Sequence, residues 1–399
     1  MKLFVLTPIY ATSTTKQGAT PVVHYFTREW AKMGNVVTVF HLAPKYPAPL
    51  YWVGRTFQHQ LNTFLGSLVP INKPFDEDFE TEGVKVRRIC IKKVIPHSLY
   101  SQKQLSYAED CIVKECEANG VPDWFIGHWD NPQLEILNNL KKRFNKPICI
   151  VFHNNVFTLE KKYGKKTRTL LKNVDVIGFR SIAGRQNFIY KYGEPKQSFI
   201  AYSGVSAPFL KAGEESKHVV KGPIHNFASV GSLISRKYPV AIVTGLHKAF
   251  PKGDFCVTFI GDGAEKEAII EEHRRLGGKG IVKFTGRIPR EEIIRHLKLA
   301  DVFIMISKDE IFGLVYLEAM ALGLIPIGSK NEGIDGIIQD GYNGFLCNAG
   351  NSEELARVLK DMKNMPSEVL ERISKNAKET AKEYSDESVA KKYLEELVR

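Results

Sequence analysis

The chain has no apolar run near the roughly 18 residues that a membrane-spanning helix needs. Its start, MKLFVLTPIY, leads directly into a strand pattern without a signal-peptide cleavage site. The six cysteines form no C-x-x-C pair and have no histidine at zinc-ligand spacing, which excludes a zinc module and favours reduced structural thiols. We therefore predict a cytoplasmic protein without a metal site.

Two nucleotide-binding signatures are also missing. No Walker sequence occurs, and IGDGAEK, which contains Gly261, lacks the third glycine of a dinucleotide fingerprint. The formal charge of +12 is compatible with nucleic acid, an anionic membrane surface or a phosphorylated substrate, and composition does not choose among them. Basic runs such as LEKKYGKKTRTLLK are most often solvated faces, although they could also dock an anionic membrane.

What the sequence does contain is a double alternation of strands and helices. Apolar runs alternate with amphipathic helical segments up to about Ala201, and a second alternation begins at NFASVGSL, which predicts two doubly wound α/β domains with parallel sheets. The polar stretch YSGVSAPFLKAGEESKHVV between them predicts a linker. The predicted boundaries are 1–205, 206–375 and a helical tail, 376–399. The basic, aromatic segment Tyr46–Phe75 interrupts the first domain and resists assignment.

Ligands of doubly wound sheets bind beyond the carboxyl ends of the strands. Gly18 precedes a helix there and could expose amides to an anion, although an ordinary turn glycine fits equally well. His153 follows the strand PICIVF, where a structural histidine is the alternative. Arg236 and Lys237 follow the strand that ends at Gly231, where cations could face a diphosphate.

The strongest motif is SKDEIFGLVYLEAMALGLIPIGS. Glu310 follows a strand, and Glu318 lies eight residues later on a helix opened by Gly313, Leu314 and Val315. Amides at a helix start can hold phosphate oxygens, whereas ionised carboxylates accept hydrogen bonds from sugar hydroxyls. This chemistry suits a nucleotide sugar.

This segment resembles the E-x7-E region of retaining glycosyltransferases of family 4, the bacterial glycosyl transferases group 1. The resemblance covers nearly all of Phe227–Cys347, including the GDG turn, FTGRIPREE before the motif and NEGIDG after it. It implies the GT-B fold: two Rossmann-like domains facing a cleft, the first for the acceptor and the second for the donor, with a C-terminal helix that crosses back to the first domain. One departure is Ser232, which stands where the family has an arginine, and Arg236 or Arg287 could supply the missing cation.

The resemblance also implies roles for individual residues. Glu318 would hold the ribose. Glu310 and the amides of Gly313, Leu314 and Val315 would hold the donor sugar and its phosphates. Lys237 would stabilise the leaving diphosphate. Gly18 would contact the distal phosphate and His153 would contact the transferred sugar. Arg287 and Ile288 would contact the base. We expect the donor to be a UDP-, GDP- or ADP-sugar, with no cofactor and no required metal, since no D-x-D flanked by strands occurs.

The predicted function is transfer of a hexose-type sugar to a glycan or lipid-linked acceptor in bacterial polysaccharide, lipopolysaccharide or glycolipid assembly. The enzyme would be cytoplasmic, with peripheral binding to the inner face of the membrane and no nucleic acid partner. Two alternatives stay open: a nonhydrolysing nucleotide-sugar epimerase of the same fold, and a non-catalytic basic module that binds membranes or nucleic acid.

Overall fold

A computed structural model describes residues 1–11, 21–57, 71–95, 98–216 and 218–399. Among these residues the chain divides into two units, one formed by 1–204 with 386–399 and the other by 205–385. Gly18 and most of the second half of the Tyr46–Phe75 segment lie outside the described residues, whereas the first half of that segment contains the helix Ala48–Thr56. Within the described ranges, every helix is too short or too polar to cross a bilayer.

The first unit is built on an eight-stranded sheet of order β3-β4-β2-β1-β5-β6-β7-β8. Its strands are β1 Lys2–Thr7, β2 Val36–Lys45, β3 Glu77–Thr81, β4 Val84–Lys92, β5 Trp124–His128, β6 Ile148–Phe152, β7 Val176–Phe179 and β8 Ser198–Ile200. Its helices are Val22–Lys32, Ala48–Thr56, Gln102–Asn119, Gln133–Phe144, Leu159–Tyr163, Thr167–Asn173, Ile182–Tyr192 and Asp386–Val398, with short 3-10 turns at Val156–Thr158 and Gly164–Lys166.

The parallel strands of this sheet were predicted, but its antiparallel edge strand was not. β3 pairs antiparallel with β4 through a tight turn at Glu82 and Gly83, both of which have positive φ. Its sequence, EDFET, is polar and partly exposed because it lies at the sheet edge, so it shows no apolar run that could mark it as a strand.

The second unit has a six-stranded, fully parallel sheet of order β11-β10-β9-β12-β13-β14. Its strands are β9 Asn226–Val230, β10 Cys256–Ile260, β11 Ile281–Gly286, β12 Val302–Ile304, β13 Ile325–Ser329 and β14 Phe345–Cys347. Its helices are Ala207–Ser216, Pro239–Ala249, Lys266–Arg275, Arg290–Leu297, Leu314–Ala321, Ser352–Asn364 and Ser367–Glu383, with a 3-10 turn at Ser235–Lys237. Apolar side chains from the strands and flanking helices form its core.

The predicted linker contains a helix. Ala207–Ser216 packs against the helix Leu314–Ala321, and Gly213 permits this close approach because a Cβ atom there would lie 1.9 Å from the Ala321 carbonyl oxygen. The sequence of this segment is largely polar because only part of the helix, including Phe209 and Ala212, is buried. The change of unit falls at Gly204 and Val205.

The tail begins later than predicted. Residues 376–385 belong to the second unit, where Ala377 and Ala381 are buried on the helix Ser367–Glu383. Only Asp386–Arg399 joins the first unit, through a hydrogen bond from Trp30 Nε1 to the Ala390 carbonyl (2.9 Å) and an edge-to-face contact between Trp30 and Tyr393 (4.9 Å). The exposed, charged face of the longer helix resembles that of a tail, which explains the misplaced boundary.

Candidate functional site

The candidate site in the second unit lies at the carboxyl ends of β9 and β12. These neighbouring strands lie at the centre of the sheet, where the strand order reverses, and such switch points are where doubly wound sheets bind ligands. β9 leads through Gly231 into the turn Ser235–Lys237, and β12 leads into the segment that carries Glu310. The topology therefore places both segments at one edge.

Gly231 makes room for the side chain of Lys237. Its φ is +139°, and a Cβ atom on this residue would lie 2.8 Å from Lys237 Nζ. Gly261, after β10, is equally constrained, because its Cβ atom would lie 1.9 Å from the Gly231 carbonyl oxygen. These two glycines hold adjacent loops close together and let the lysine cross over them.

Lys237, Arg236 and Glu310 meet at one atom. Glu310 Oε2 lies 3.4 Å from Lys237 Nζ and 3.5 Å from Arg236 Nη1. It has no partner within hydrogen-bond geometry in the described part of the chain. The side chains of Lys237 and Glu310 are 17% and 16% exposed, whereas that of Arg236 is 44% exposed. Two cations around one carboxylate leave an excess positive charge, which suits an anionic ligand.

The helix Leu314–Ala321 begins beside this cluster. Gly313 adopts the left-handed conformation (φ 77°, ψ 56°) that precedes the helix. A Cβ atom at Gly313 would lie 2.7 Å from the ring of Tyr316, whose hydroxyl donates to the Met305 carbonyl. Leu314 and Val315 form the first turn, where amides have no intrahelical partner and can face a phosphate oxygen.

Glu318 is buried and ion-paired. Its side chain is 3% exposed, and Oε1 accepts from Nη2 of Arg290, whose guanidinium lies 5.8 Å from the centre of the Phe209 ring. Sequence reasoning missed Arg290, although it stands within the quoted FTGRIPREE segment, because the pair joins two helices far apart in sequence. Arg287 is exposed and Ile288 half-buried in the loop between β11 and that arginine.

A second glutamate, also missed, holds the Glu310 segment in place. Glu332 Oε2 accepts from the Glu310 amide (2.8 Å), and the next residue, Gly333, donates to the Glu310 carbonyl (2.8 Å). Burial raises the pKa of Glu332. A Cβ atom at Gly333 would lie 2.5 Å from the backbone of Phe312. The NEG triplet after β13 is the sequence signal for this support.

His153 lies in the first unit, at the carboxyl end of β6. Its Nε2 is 2.9 Å from His128 Nδ1, and its ring stacks on Trp129 with centroids 3.9 Å apart. Burial lowers the pKa of His128 to about 3, and burial with the charge of Arg180 lowers the pKa of His153 well below its usual range. Both rings are therefore neutral at pH 7, one of them donating to the other.

The structure thus brings together Gly231, Arg236, Lys237, Gly261, Glu310, Gly313 and the Glu318 helix within the second unit, and it places His153 in the first. Gly18 lies outside the described residues. Which of these residues bind substrate stays a prediction.

Comparison with known proteins shows what the second unit is similar to. Residues 216–380 match the family described as glycosyl transferases group 1. The chain is 30% identical over 201 residues to an alpha-monoglucosyldiacylglycerol synthase from Acholeplasma laidlawii, an alignment that covers 47% of this chain and 49% of the relative. It is 37% identical over 131 residues to a sulfoquinovosyl transferase from Arabidopsis thaliana, covering 32% of this chain and 25% of the relative. The aligned segment therefore spans about half of the first relative and less of the second.

The solved structures show the fold. The chain superposes on an Anabaena protein, HepE, solved in complex with UDP-glucose, with a TM-score of 0.64 and 17% identity over 100% of this chain and 99% of that one. A lipopolysaccharide outer core galactosyltransferase gives a TM-score of 0.70 with 18% identity, covering 100% of this chain and 99% of the other. Two parallel-sheet α/β domains with these neighbours establish the GT-B fold.

Proposed function

We propose that the chain, which has the GT-B fold and whose residues 216–380 match the glycosyl transferases group 1 family, is a retaining glycosyltransferase. The donor is a nucleotide sugar bound by the second unit, and the sugar is of the hexose type. The acceptor is a glycan or a lipid-linked sugar in bacterial polysaccharide, lipopolysaccharide or glycolipid assembly. The glucosyl product in the name of the Acholeplasma relative and the UDP-glucose of the Anabaena structure support these choices.

The observation that carries the proposal is the pair of cations at Glu310. When the glycosidic bond to the diphosphate breaks, negative charge grows on the leaving phosphate oxygen. Lys237 meets that charge as a compact cation, Arg236 adds a second one from the solvent side, and the amides of Gly313–Val315 complete the anion site. A preorganised donor of this kind contributes about 3 kcal/mol to barrier lowering.

The two glutamates take different parts in donor binding. Ionised Glu318 accepts hydrogen bonds only, as the two ribose hydroxyls require, and Arg290 fixes the direction of the carboxylate. Glu310, positioned by Glu332 and Gly333 through its own backbone, faces the transferred sugar. Arg287 and Ile288 contact the base. For His153, which is neutral at pH 7, the proposed role is a hydrogen bond to the transferred sugar.

We propose that transfer needs no divalent metal, because Lys237 and Arg236 supply the charge that a metal would otherwise provide. Initial rates measured with EDTA should match those measured with added magnesium or manganese. A rate that collapses with EDTA and returns with either ion would refute metal independence.

We propose that an anionic bilayer is a second partner, bound by the helix Ala48–Thr56. Trp52 is 65% exposed there, with Leu50 and Phe57 also exposed, and the chain carries a formal charge of +12. Aromatic side chains on such a helix insert into the interface while cations attract anionic lipids. Trp52→Ser should reduce sedimentation with phosphatidylglycerol vesicles, whereas Tyr190→Ser, at an 87% exposed site on another helix of the same unit, should not. Equal sedimentation of both variants would refute this docking.

The test of the main proposal is a panel of UDP-, GDP- and ADP-glucose, scored by thermal shift and by slow donor hydrolysis without acceptor. One nucleotide family should stabilise the wild type by RT ln(1 + [L]/Kd), and Glu318→Ala should lose most of that shift. Lys360→Met, an exposed change in the same unit, should keep it. A donor that changes its sugar identity without acceptor would indicate an epimerase, and no shift with any donor would refute nucleotide-sugar binding.

A further inference from the structure

Lys93 is a buried lysine that has no anionic partner in the described part of the chain. It follows β4, and only 7% of its surface is exposed. Its Nζ lies 4.1 Å from the centre of the Tyr100 ring, and it has no hydrogen-bond acceptor or carboxylate partner among the residues that the structure describes. Lysines are almost never buried to this extent unless they are paired, and a ring face compensates only part of the lost hydration.

The neighbouring charges do not neutralise Lys93. Lys162 lies close enough to lower the pKa of Lys93 further, after burial has had the larger effect, and the pKa reaches about 8. The nearby carboxylate of Asp130 is already engaged, because its Oδ2 is 2.7 Å from Lys162 Nζ and its carbonyl accepts from the Tyr163 hydroxyl at 2.9 Å. Two ammonium groups and one carboxylate leave one excess positive charge at this site.

The position of the cluster points to a ligand. Lys93 follows β4, Asp130 follows β5 and Lys162 lies beyond β6, so all three come after the carboxyl ends of strands that run parallel in one sheet. That edge is where doubly wound sheets bind their ligands, and it also carries His153 after β6. A lysine held desolvated at such an edge is preorganised for an anion that would displace the remaining water.

We propose that Lys93, with Lys162 and the hydroxyl of Tyr100, forms a subsite for a phosphomonoester, so that the acceptor of this enzyme carries a phosphate group. That the phosphate belongs to an acceptor rests on the proposed function, whereas the phosphate subsite itself lies wholly in the first unit. Lysine suits this ligand because it is a compact point charge, and a phosphomonoester presents three acceptor oxygens that several donors can share. Both a soluble sugar phosphate and a lipid phosphate carry this group.

The test measures phosphate affinity with the full chain in a saturating concentration of the nucleoside diphosphate, UDP, GDP or ADP, that the donor panel identifies, so that the donor site is occupied. Inorganic phosphate and glycerol 3-phosphate are titrated at constant ionic strength into the wild type, Lys93→Met and Lys142→Met, the last an exposed lysine of the same unit. We expect Lys93→Met to weaken binding of both at least about tenfold, the range for hydrogen bonds to charged groups, and Lys142→Met to leave it unchanged. Equal affinity of Lys93→Met and wild type, or an equal loss in Lys142→Met, would overturn the subsite.

A conservative variant and a vesicle assay give two further measurements, and the second identifies the source of the phosphate. If Lys93→Met does not fold, Lys93→Arg takes its place in the test. Because this variant retains the cation, its phosphate affinity should lie within a few-fold of that of the wild type, and a complete loss of phosphate binding would overturn the proposal. Stronger sedimentation with phosphatidic acid vesicles than with phosphatidylglycerol vesicles of matched surface charge, a preference lost in Lys93→Met, assigns a lipid phosphate. Binding of glycerol 3-phosphate without that preference assigns a soluble one. The thermal shift induced by that nucleotide should be the same in all variants, and the absence of a shift with UDP, GDP and ADP in the wild type would refute the donor site without touching this subsite.

Discussion

Replacing Lys237 with methionine tests the chemistry of the donor site most directly. Methionine keeps the unbranched shape that crosses Gly231 but removes the cation 3.4 Å from Glu310 Oε2. We expect kcat to fall by about 100-fold, because a lost transition-state donor costs about 3 kcal/mol and each 1.36 kcal/mol is tenfold in rate. Affinity for UDP should change much less, since the charge that Lys237 stabilises develops only as the bond breaks.

The same substitution has a smaller effect on stability. Lys237 and Glu310 are about one-sixth exposed, so the lost ion pair falls between the surface and the buried case, and we expect a loss of about 1 to 3 kcal/mol. The melting temperature should fall by several degrees. Circular dichroism, thermal melts and UDP titration therefore accompany the initial rates, so that misfolding is separated from slow chemistry.

Arg236→Met is the matched control. Its guanidinium lies at a similar distance from the same oxygen, 3.5 Å, but the side chain is 44% exposed, so water screens its charge. We expect a loss of less than about tenfold in kcat. The assignment of Lys237 to the leaving group would be refuted if Lys237→Met kept kcat within about threefold of wild type, or if Arg236→Met were the slower enzyme.

Three further changes test other parts of the structure. Arg290→Met should lower the melting temperature and weaken UDP binding, because it removes the ion-pair partner of the buried Glu318 at a cost of about 3 kcal/mol; unchanged affinity for UDP would contradict the role of that pair. Gly333→Ala should slow transfer more than it weakens UDP binding, because the new Cβ would lie 2.5 Å from the Phe312 backbone beside Glu310; wild-type rates would show that the segment adapts. His128 has a pKa lowered from 6.5 to about 3, so the unfolded chain binds a proton there that the folded chain excludes, and stability should fall by about 1.4 kcal/mol per unit as the pH drops from about 6.5 toward 3. Urea titrations over this range should show a shallower fall for His128→Gln, and an identical slope would contradict the assignment.

The sequence was sufficient for the parallel core of the fold. Strands such as Ile148–Phe152 and Ile325–Ser329 are buried on both faces and read as continuous apolar runs, so their existence could be predicted from residue type alone. The edge strand Glu77–Thr81 could not, because solvent removes the need for apolar residues there. The helix Ala207–Ser216 was hidden by the same effect.

In the candidate site, too, some residues could be predicted from the sequence and others could not. Glu310 and Lys237 could be predicted as candidates because they lie in the segments between a strand and the next helix, and Glu318 because it lies eight residues after Glu310 on that helix. Their roles stay predictions. Arg290 and Glu332 were missed because their importance comes from contacts across the fold, to Glu318 and to the Glu310 amide. The burial of Lys93, which has no ion-pair partner among residues 1–11, 21–57, 71–95, 98–216 and 218–399, is likewise a property of packing and not of local sequence.

The return of Asp386–Arg399 to the first unit has a consequence for synthesis on the ribosome. The surface formed by Trp30 is covered by Ala390 and Tyr393, and these residues emerge only after residues 205–385 have been translated. At about 5 to 20 residues per second this interval lasts roughly 10 to 40 s. During it the second unit can complete its sheet while the first still exposes an apolar helix face, so the nascent first unit, and not the second, is the part that chaperones would need to protect.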